Sequence, residues 1–453
     1  MAARSPGYLP TYTGLPFNNF GITDGKILTV AAACRAYRSA PSLLTDAGWL
    51  PFLSYQYAYW PVQYEDGLRV FVKVPVLNNV NPDYNTMTYN LMVRECAMLV
   101  FLENRGFLWS PRLLYHTMEL DSLLGLPYMI ETMLPGKRLD WTNTAPADKA
   151  NREKVLSQVA KIIFEFARVD PKDGGSGGLR HYFDKEIDQR LFRLIRGLDR
   201  DYKYSLYSCF VLRALARKSA EGKDTNTVWV NSHENLRAHN IFVDDDFNVT
   251  GFVEWGLVNV MPARLAFRFP TFLQLKSKVF PAVMPADPRA YTKEFLEVPA
   301  LMKVDRECFV ARMQYEHATQ ASRSSIGHLS PKGWEMMCWD LESVDWSHMI
   351  FDAVLSRNTH QLMSARHFFI SCLPEFTPEG IQEFCKHDTF HLEALKFYFR
   401  NLNLANPWAN GIRTTNLLHM AACRRFPWEF IEIVLKDAFG RYEGWVDQRV
   451  CLR

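Results

Sequence analysis

The stretch WVNSHENLRAHNIFVDDDFNVTGFVEWG, residues 229–256, decides how this chain is read. Two apolar runs, 241–243 and 249–253, flank Asp244-Asp245-Asp246, and an acidic cluster between apolar runs predicts an exposed hairpin turn rather than a cation site. Ahead of the hairpin stands His233-x-Asn235-x4-Asn240, and behind it Val253-Glu254-Trp255. A third short strand is predicted over 228–230.

This arrangement resembles the catalytic loop and metal-binding segment of the aminoglycoside phosphotransferase and choline kinase family, written H-G-D-x4-N and I-D-W. The resemblance implies an α+β, two-lobed protein-kinase-like fold, with a small β-rich N-lobe and a larger, mainly helical C-lobe. It implies ATP and Mg2+ as cofactors and a small-molecule hydroxyl as acceptor. Asn240 and Glu254 would hold the metal through oxygen. His233 would hold the loop by hydrogen bonds, Arg237 would meet the transferred phosphoryl group or an acidic substrate, and Asn235 would orient the acceptor.

Two departures stand in the motif. Asn235 occupies the place of the family's catalytic Asp, and an amide is no base. Glu254 replaces the metal-binding Asp on a stem one methylene longer. General-base assistance contributes roughly 10^2 to 10^4 in rate, whereas positioning and electrostatics carry most of a phosphoryl transfer. The reaction is therefore impaired rather than forbidden, and the alternative is a pseudokinase: a binding or regulatory module, with a protein partner, or a fold turned to other chemistry on a metabolite. Glu234 is a carboxylate beside Asn235, but adjacent loop residues normally point apart.

Working outward, LRVFVKVPV at 68–76 reads as a strand, and the Asp66-Gly67 dipeptide before it predicts a hairpin with the aromatic-rich segment 52–64. On the resemblance, Lys73 of that strand would reach the nucleotide phosphates. The apolar spacing over 88–105 predicts a helix stopped at Gly106, whose Glu95 would pair with Lys73. Strands are expected over 111–115 and 126–133, and Leu134-Pro135-Gly136 as a turn or hinge. Backbone groups from Glu131 to Met133 would receive the adenine edge. The family's glycine-rich phosphate turn should lie between the first two strands, where this chain offers SYQYAYWPVQY, bulky and glycine-free.

The domains expected are an N-terminal arm over 1–20, an N-lobe over 21–134, with a short helix and turn near 27–49, and a C-lobe over 135–453. The C-lobe would hold an amphipathic helix at 151–169, the loop 233–240 and the metal segment 253–255. Gly174 to Gly178 match G-x-S-x-G formally, but no strand precedes them as a nucleophile elbow requires. His387 and His391 stand one helical turn apart without a third ligand, and His239 reads as a surface histidine. The 453 residues are 48% hydrophobic, with 52 Lys plus Arg against 49 Asp plus Glu. That near-balance gives no footprint for nucleic acid. Nine scattered cysteines without a C-x-x-C pair predict a reducing compartment, and the sequence shows neither a signal peptide nor a run long enough to enter a membrane. A cytoplasmic protein is expected. Aromatic residues, 14% of the chain, serve a core or a substrate groove.

Overall fold

The computed structural model describes residues 22–36, 39–44, 52–53, 56–76, 82–169, 171, 177–195, 228–274 and 299–320. The expected N-terminal arm, the His387/His391 pair, most of the 174–178 glycine run and nearly all of the C-terminal region lie outside these residues.

Helix α1 spans Asp24–Cys34, capped by the Thr23 side chain, which accepts from the Lys26 amide. The short strands β1 (Pro41–Leu43) and β2 (Phe52–Leu53) both pair with β3 (Tyr57–Tyr64). The predicted hairpin joins β3 to β4 (Arg69–Pro75): Gly67 takes φ +86, a conformation that excludes most side chains. Asp66 of that turn pairs with Arg35 at the end of α1. Helix α2 (Pro82–Asn104) precedes β5 (Leu113–Thr117) and β6 (Tyr128–Thr132), and the sheet runs β1-β3-β4-β6-β5, antiparallel throughout, with β2 on β3.

Strand alternation gives this sheet two unlike faces. Ala58, Trp60, Val62, Val70, Val72, Val74, Tyr128 and Ile130 share one face, and Ile27, Val30 and Ala31 of α1 pack over them in a single buried cluster. Truncating a buried aromatic such as Trp60 to Ala costs about 3–5 kcal/mol. The opposite face carries Tyr57, Tyr59, Phe71, Lys73, Met129 and Glu131, with Tyr59 opposite Lys73, Lys73 opposite Met129 and Phe71 opposite Glu131. Aromatic and charged groups line the face that turns toward α2 and the loop of the second half.

Beyond Gly136, β7 (Lys137–Arg138) pairs with β9 (Ile241–Val243), itself paired with β10 (Val249–Phe252), while β8 (Trp229–His233) pairs with β11 (Val258–Pro262). Gly136 sits at φ +89, where a Cβ would stand 2.1 Å from the Val243 carbonyl oxygen, so this turn accepts only glycine. Helix α3 (Lys149–Arg168), α4 (Leu179–Ile195), the single turn α5 (Ala263–Ala266) and α6 (Ala300–Gln320) complete the described part. The expected amphipathic helix is α3, which buries Val155, Val159, Ile162, Ile163 and Phe166. Its Arg152 is fixed bidentately by Asp305 of α6 at 3.1 and 2.5 Å and stacks over Trp141. Sheet and helix first, helices and short strands after, make a two-lobed kinase-like fold. Among the described residues no helix is long and apolar enough to cross a membrane.

Candidate functional site

The chain reaches the loop 233–240 from β8, whose Asn231 side chain donates to the Val169 carbonyl at the end of α3 (2.5 Å). His233 closes β8, fully buried. Its Nε2 is 2.9 Å from the Val253 carbonyl, and the Asn235 amide N–H is 3.3 Å from its Nδ1. A carbonyl only accepts and an N–H only donates, so the ring is neutral with its proton on Nε2. Burial pushes its pKa down to about 4, even though the bond to Val253 opposes the fall. The ring edge rests on Trp255 at 4.9 Å, and Trp255 donates from Nε1 to the Phe252 carbonyl. His233 thus ties the loop to the segment that follows the hairpin.

That segment bends sharply at Glu254, whose backbone is left-handed (φ 65, ψ 48). Such a conformation costs a non-glycine residue of order 1–3 kcal/mol and persists only where the surroundings impose it. Here Val253 N–H donates to the Asn240 carbonyl at 3.0 Å and Trp255 is buried. The bend turns the half-buried Glu254 carboxylate into the loop, where its Oε2 accepts from the Asn240 side chain (2.9 Å) and from that of Asn235. Asn240 also donates to the Asn235 carbonyl at 2.9 Å. The structure therefore brings Asn235, Asn240 and Glu254 into one cluster. Glu234 is turned elsewhere: it adds to burial in weakening the acidity of Tyr182 and Glu186 on α4. Arg237 and His239 are exposed at the rim of the loop.

One carboxylate and two amides offer only oxygen to a cation, a donor set that suits Mg2+ completed by phosphate oxygens and water. No group of three or more His, Cys, Asp or Glu side chains among the described residues could hold a metal unaided.

Lys73 stands across from this cluster and is 0% exposed. Its ammonium meets Glu95 of α2 at 2.7 Å, as expected, and also the Glu131 carboxylate at 3.3 Å. It lies under two rings, 4.8 Å from the centre of Tyr57 and 5.3 Å from that of Tyr59. Burial alone would lower the Lys73 pKa, but Glu131 and Glu95 outweigh it and hold the value well above that of an ordinary lysine. Glu131 is pushed up to about 7, chiefly by burial, with Lys73 opposing. Burial raises the phenols of Tyr57 and Tyr59 too; at Tyr59 the carboxylates of Glu254, Glu95 and Glu131 add to the effect.

Two further observations bear on the nucleotide side of the cleft. The backbone of Glu131 to Met133 was assigned to the adenine edge, yet the Glu131 side chain serves Lys73, Thr132 N–H donates to the Arg112 carbonyl and Met133 N–H to the Arg69 carbonyl, both at 2.9 Å. Sheet pairing has already taken these donors. The aromatic segment that stands where the family's phosphate turn is expected is an unbroken strand from Tyr57 to Tyr64.

Helix α2 joins Glu95 to the segment that follows the hairpin. Arg94 donates to the Val258 carbonyl (2.6 Å) and to the Asn259 side chain (2.7 Å), and a Cβ on Gly256 would lie 2.8 Å from the Leu91 carbonyl oxygen. Sequence reasoning missed Tyr57, Tyr59, Arg94, Gly256 and the side-chain role of Glu131. Period-two alternation along β3 and β6 was the signal for the first two and the last.

Residues 62–264 match the model of the phosphotransferase enzyme family. Over these residues the chain is similar to that family. No curated protein matches the chain. Among solved structures, similarity extends to APH(2'')-IIa in a ternary complex with streptomycin and ATP, at 13% identity over 78% of this chain and 98% of that one, with a TM-score of 0.45. Choline kinase from Cryptosporidium parvum Iowa II gives 11% identity over 81% and 99%, with a TM-score of 0.45. Macrolide 2'-phosphotransferase MphH from Brachybacterium faecium gives 12% over 76% and 97%, with a TM-score of 0.41. These likenesses are loose, and the kinase-like fold rests on the chain's own sheet, helix and loop geometry.

Proposed function

We propose that this chain binds ATP with Mg2+ between the six-stranded sheet and the loop 233–240, and transfers the terminal phosphoryl group slowly to a small-molecule hydroxyl without a side-chain base. The observation that carries this reading is the convergence of Asn235, Asn240 and Glu254 on one another at the end of a strained turn. A left-handed glutamate is a standing cost in stability, and a cation site gives that cost a use.

In this reading Asn240 and Glu254 would hold Mg2+, exchanging their mutual hydrogen bonds for the ion. When bound, the ion neutralises charge on the phosphates. Asn235 orients the acceptor hydroxyl through its amide, which leaves the proton to depart with water or with the phosphoryl oxygen. Arg237, exposed two residues on, faces the transferred group. The backbone from the Met133 carbonyl into the Leu134-Pro135-Gly136 turn receives the base of the nucleotide, since the donors before it are engaged. A cytoplasmic setting and a small-molecule acceptor complete the proposal.

Two observations favour a second reading, a pseudokinase: Lys73 is shut away beneath tyrosine rings, and Asn235 is bonded to Glu254 rather than open to an acceptor. Phosphate transfer from γ-labelled ATP to a panel of small alcohols, alongside ATP hydrolysis, separates the two. Slow Mg2+-dependent transfer supports the first reading. Mg2+-dependent nucleotide binding with no transfer to any acceptor and no hydrolysis supports the second.

A further inference from the structure

We propose that Glu131, with Tyr57 and Tyr59, withholds Lys73 from the nucleotide, so that in this state the cleft engages a Mg2+-nucleotide only through its Glu254 pole. The inference rests on reading the cleft as a nucleotide site.

A lysine that anchors phosphates needs an ammonium with unspent charge and an open approach. Lys73 has neither. One carboxylate, Glu95 at 2.7 Å, already balances its charge, and a second, Glu131 at 3.3 Å, overdraws it. With Glu131 ionised, the group of three carries net negative charge, which repels phosphate. The approach is closed as well: Tyr57 and Tyr59 set their ring faces over the ammonium, and all five residues are buried. Tyr59 is braced edge-on by Phe71 at 5.6 Å and by Tyr57 at 6.1 Å. Cation–π attraction and two charge-assisted hydrogen bonds favour the closed arrangement over a hydrated one. Sheet register makes it a built feature, because Tyr59 lies opposite Lys73 and Glu131 lies beside it across the Phe71 pair.

Glu131→Gln keeps the side-chain shape and removes the surplus charge, and Tyr59→Leu opens the cover by a separate route. The first readout needs no nucleotide: acetylation by an N-hydroxysuccinimide ester, followed at each lysine by peptide mass spectrometry. In the wild type, Lys73 stays unmodified while the exposed Lys137 and Lys149 react; in either variant its rate rises at least about tenfold. The second readout is calorimetric titration with Mg2+-ATP. Removing one uncompensated charge near the phosphates tightens binding by about tenfold in Glu131→Gln, and adding Lys73→Met to that variant cancels the gain. Melting temperatures establish that each variant is folded. The proposal is overturned if wild-type Lys73 reacts as fast as the exposed lysines, or if neither variant raises its reactivity. It is equally overturned if Glu131→Gln binds ATP like the wild type, or if its gain survives the loss of Lys73. Absence of ATP binding in every variant, with the labelling pattern as expected, removes the nucleotide reading and leaves the sealed lysine standing.

Discussion

A single oxygen of Glu254, Oε2, accepts from the side-chain amides of both Asn235 and Asn240, and does so from a left-handed backbone. The amide at 235 is therefore a satisfied partner of the carboxylate as well as the missing base. An aspartate there would set two carboxylates against each other, at a separation where like charges are strongly unfavourable.

Asn235→Asp should lower the melting temperature of the metal-free protein, and millimolar Mg2+ should restore it. The same variant is expected to raise phosphoryl transfer by roughly 10^2 to 10^4, the usual worth of a general base. Differential scanning fluorimetry with Mg2+ and with EDTA, together with the transfer assay, checks both outcomes. A melting temperature indifferent to substitution and metal would place residue 235 away from Glu254.

Gly256 is a contact point between α2 and the segment that follows the hairpin. Gly256→Ala would drive a Cβ to 2.8 Å from the Leu91 carbonyl oxygen and 3.4 Å from the Glu95 side chain. Backbone cannot yield as a side-chain tip does, so the expected cost is about 1–3 kcal/mol of stability by urea unfolding. Because Gly256 lies two residues beyond Glu254, ATP binding should weaken too. Unchanged stability would mean that α2 stands farther from this segment.

Two buried groups give opposite slopes of stability against pH. His233 has a folded pKa of about 4 against an ordinary 6.5, so the unfolded chain takes up its proton first and stability is lost as pH falls between those values. The contribution is roughly 3 kcal/mol across the window. Glu131 is raised to about 7, so the folded state takes up its proton first and the stability it adds at low pH is lost as pH rises from about 4.5 through about 7. Relative to wild type, His233→Gln should gain stability on acidification from pH 6.5 to 4.5, and Glu131→Gln should lose it. Urea unfolding at four pH values decides, and parallel curves for all three proteins would contradict both assignments.

Much of this was legible in the sequence because local chemistry dictates it. Asp66-Gly67 specifies its turn, the acidic cluster at 244–246 specifies the β9–β10 hairpin, and the apolar spacing of α3 specifies its buried face. The spacing from His233 to Asn240 and on to Glu254 marked the cluster before any coordinates. What escaped depends on relations between distant strands. Glu131 reads as one polar residue in an apolar run, and only the pairing of β6 with β4 sets it beside Lys73. Register is a tertiary property. For the same reason Tyr57 and Tyr59 read as a bulky obstruction in a turn, when they are alternate positions of a strand covering the lysine. The role of α1 as the cover of the outer sheet face was likewise invisible, since its apolar residues do not name the surface they bury.

The central claim is that Glu254 and its two amide partners form a cation-dependent nucleotide site, and calorimetric titration of ATP with Mg2+ and with EDTA, on the wild type and on Glu254→Gln, tests it most directly. The account predicts binding that requires Mg2+ and weakens by at least about tenfold, 1.4 kcal/mol, in the variant. Binding of equal strength without metal or without the carboxylate, or no binding at millimolar ATP in the wild type, would contradict it.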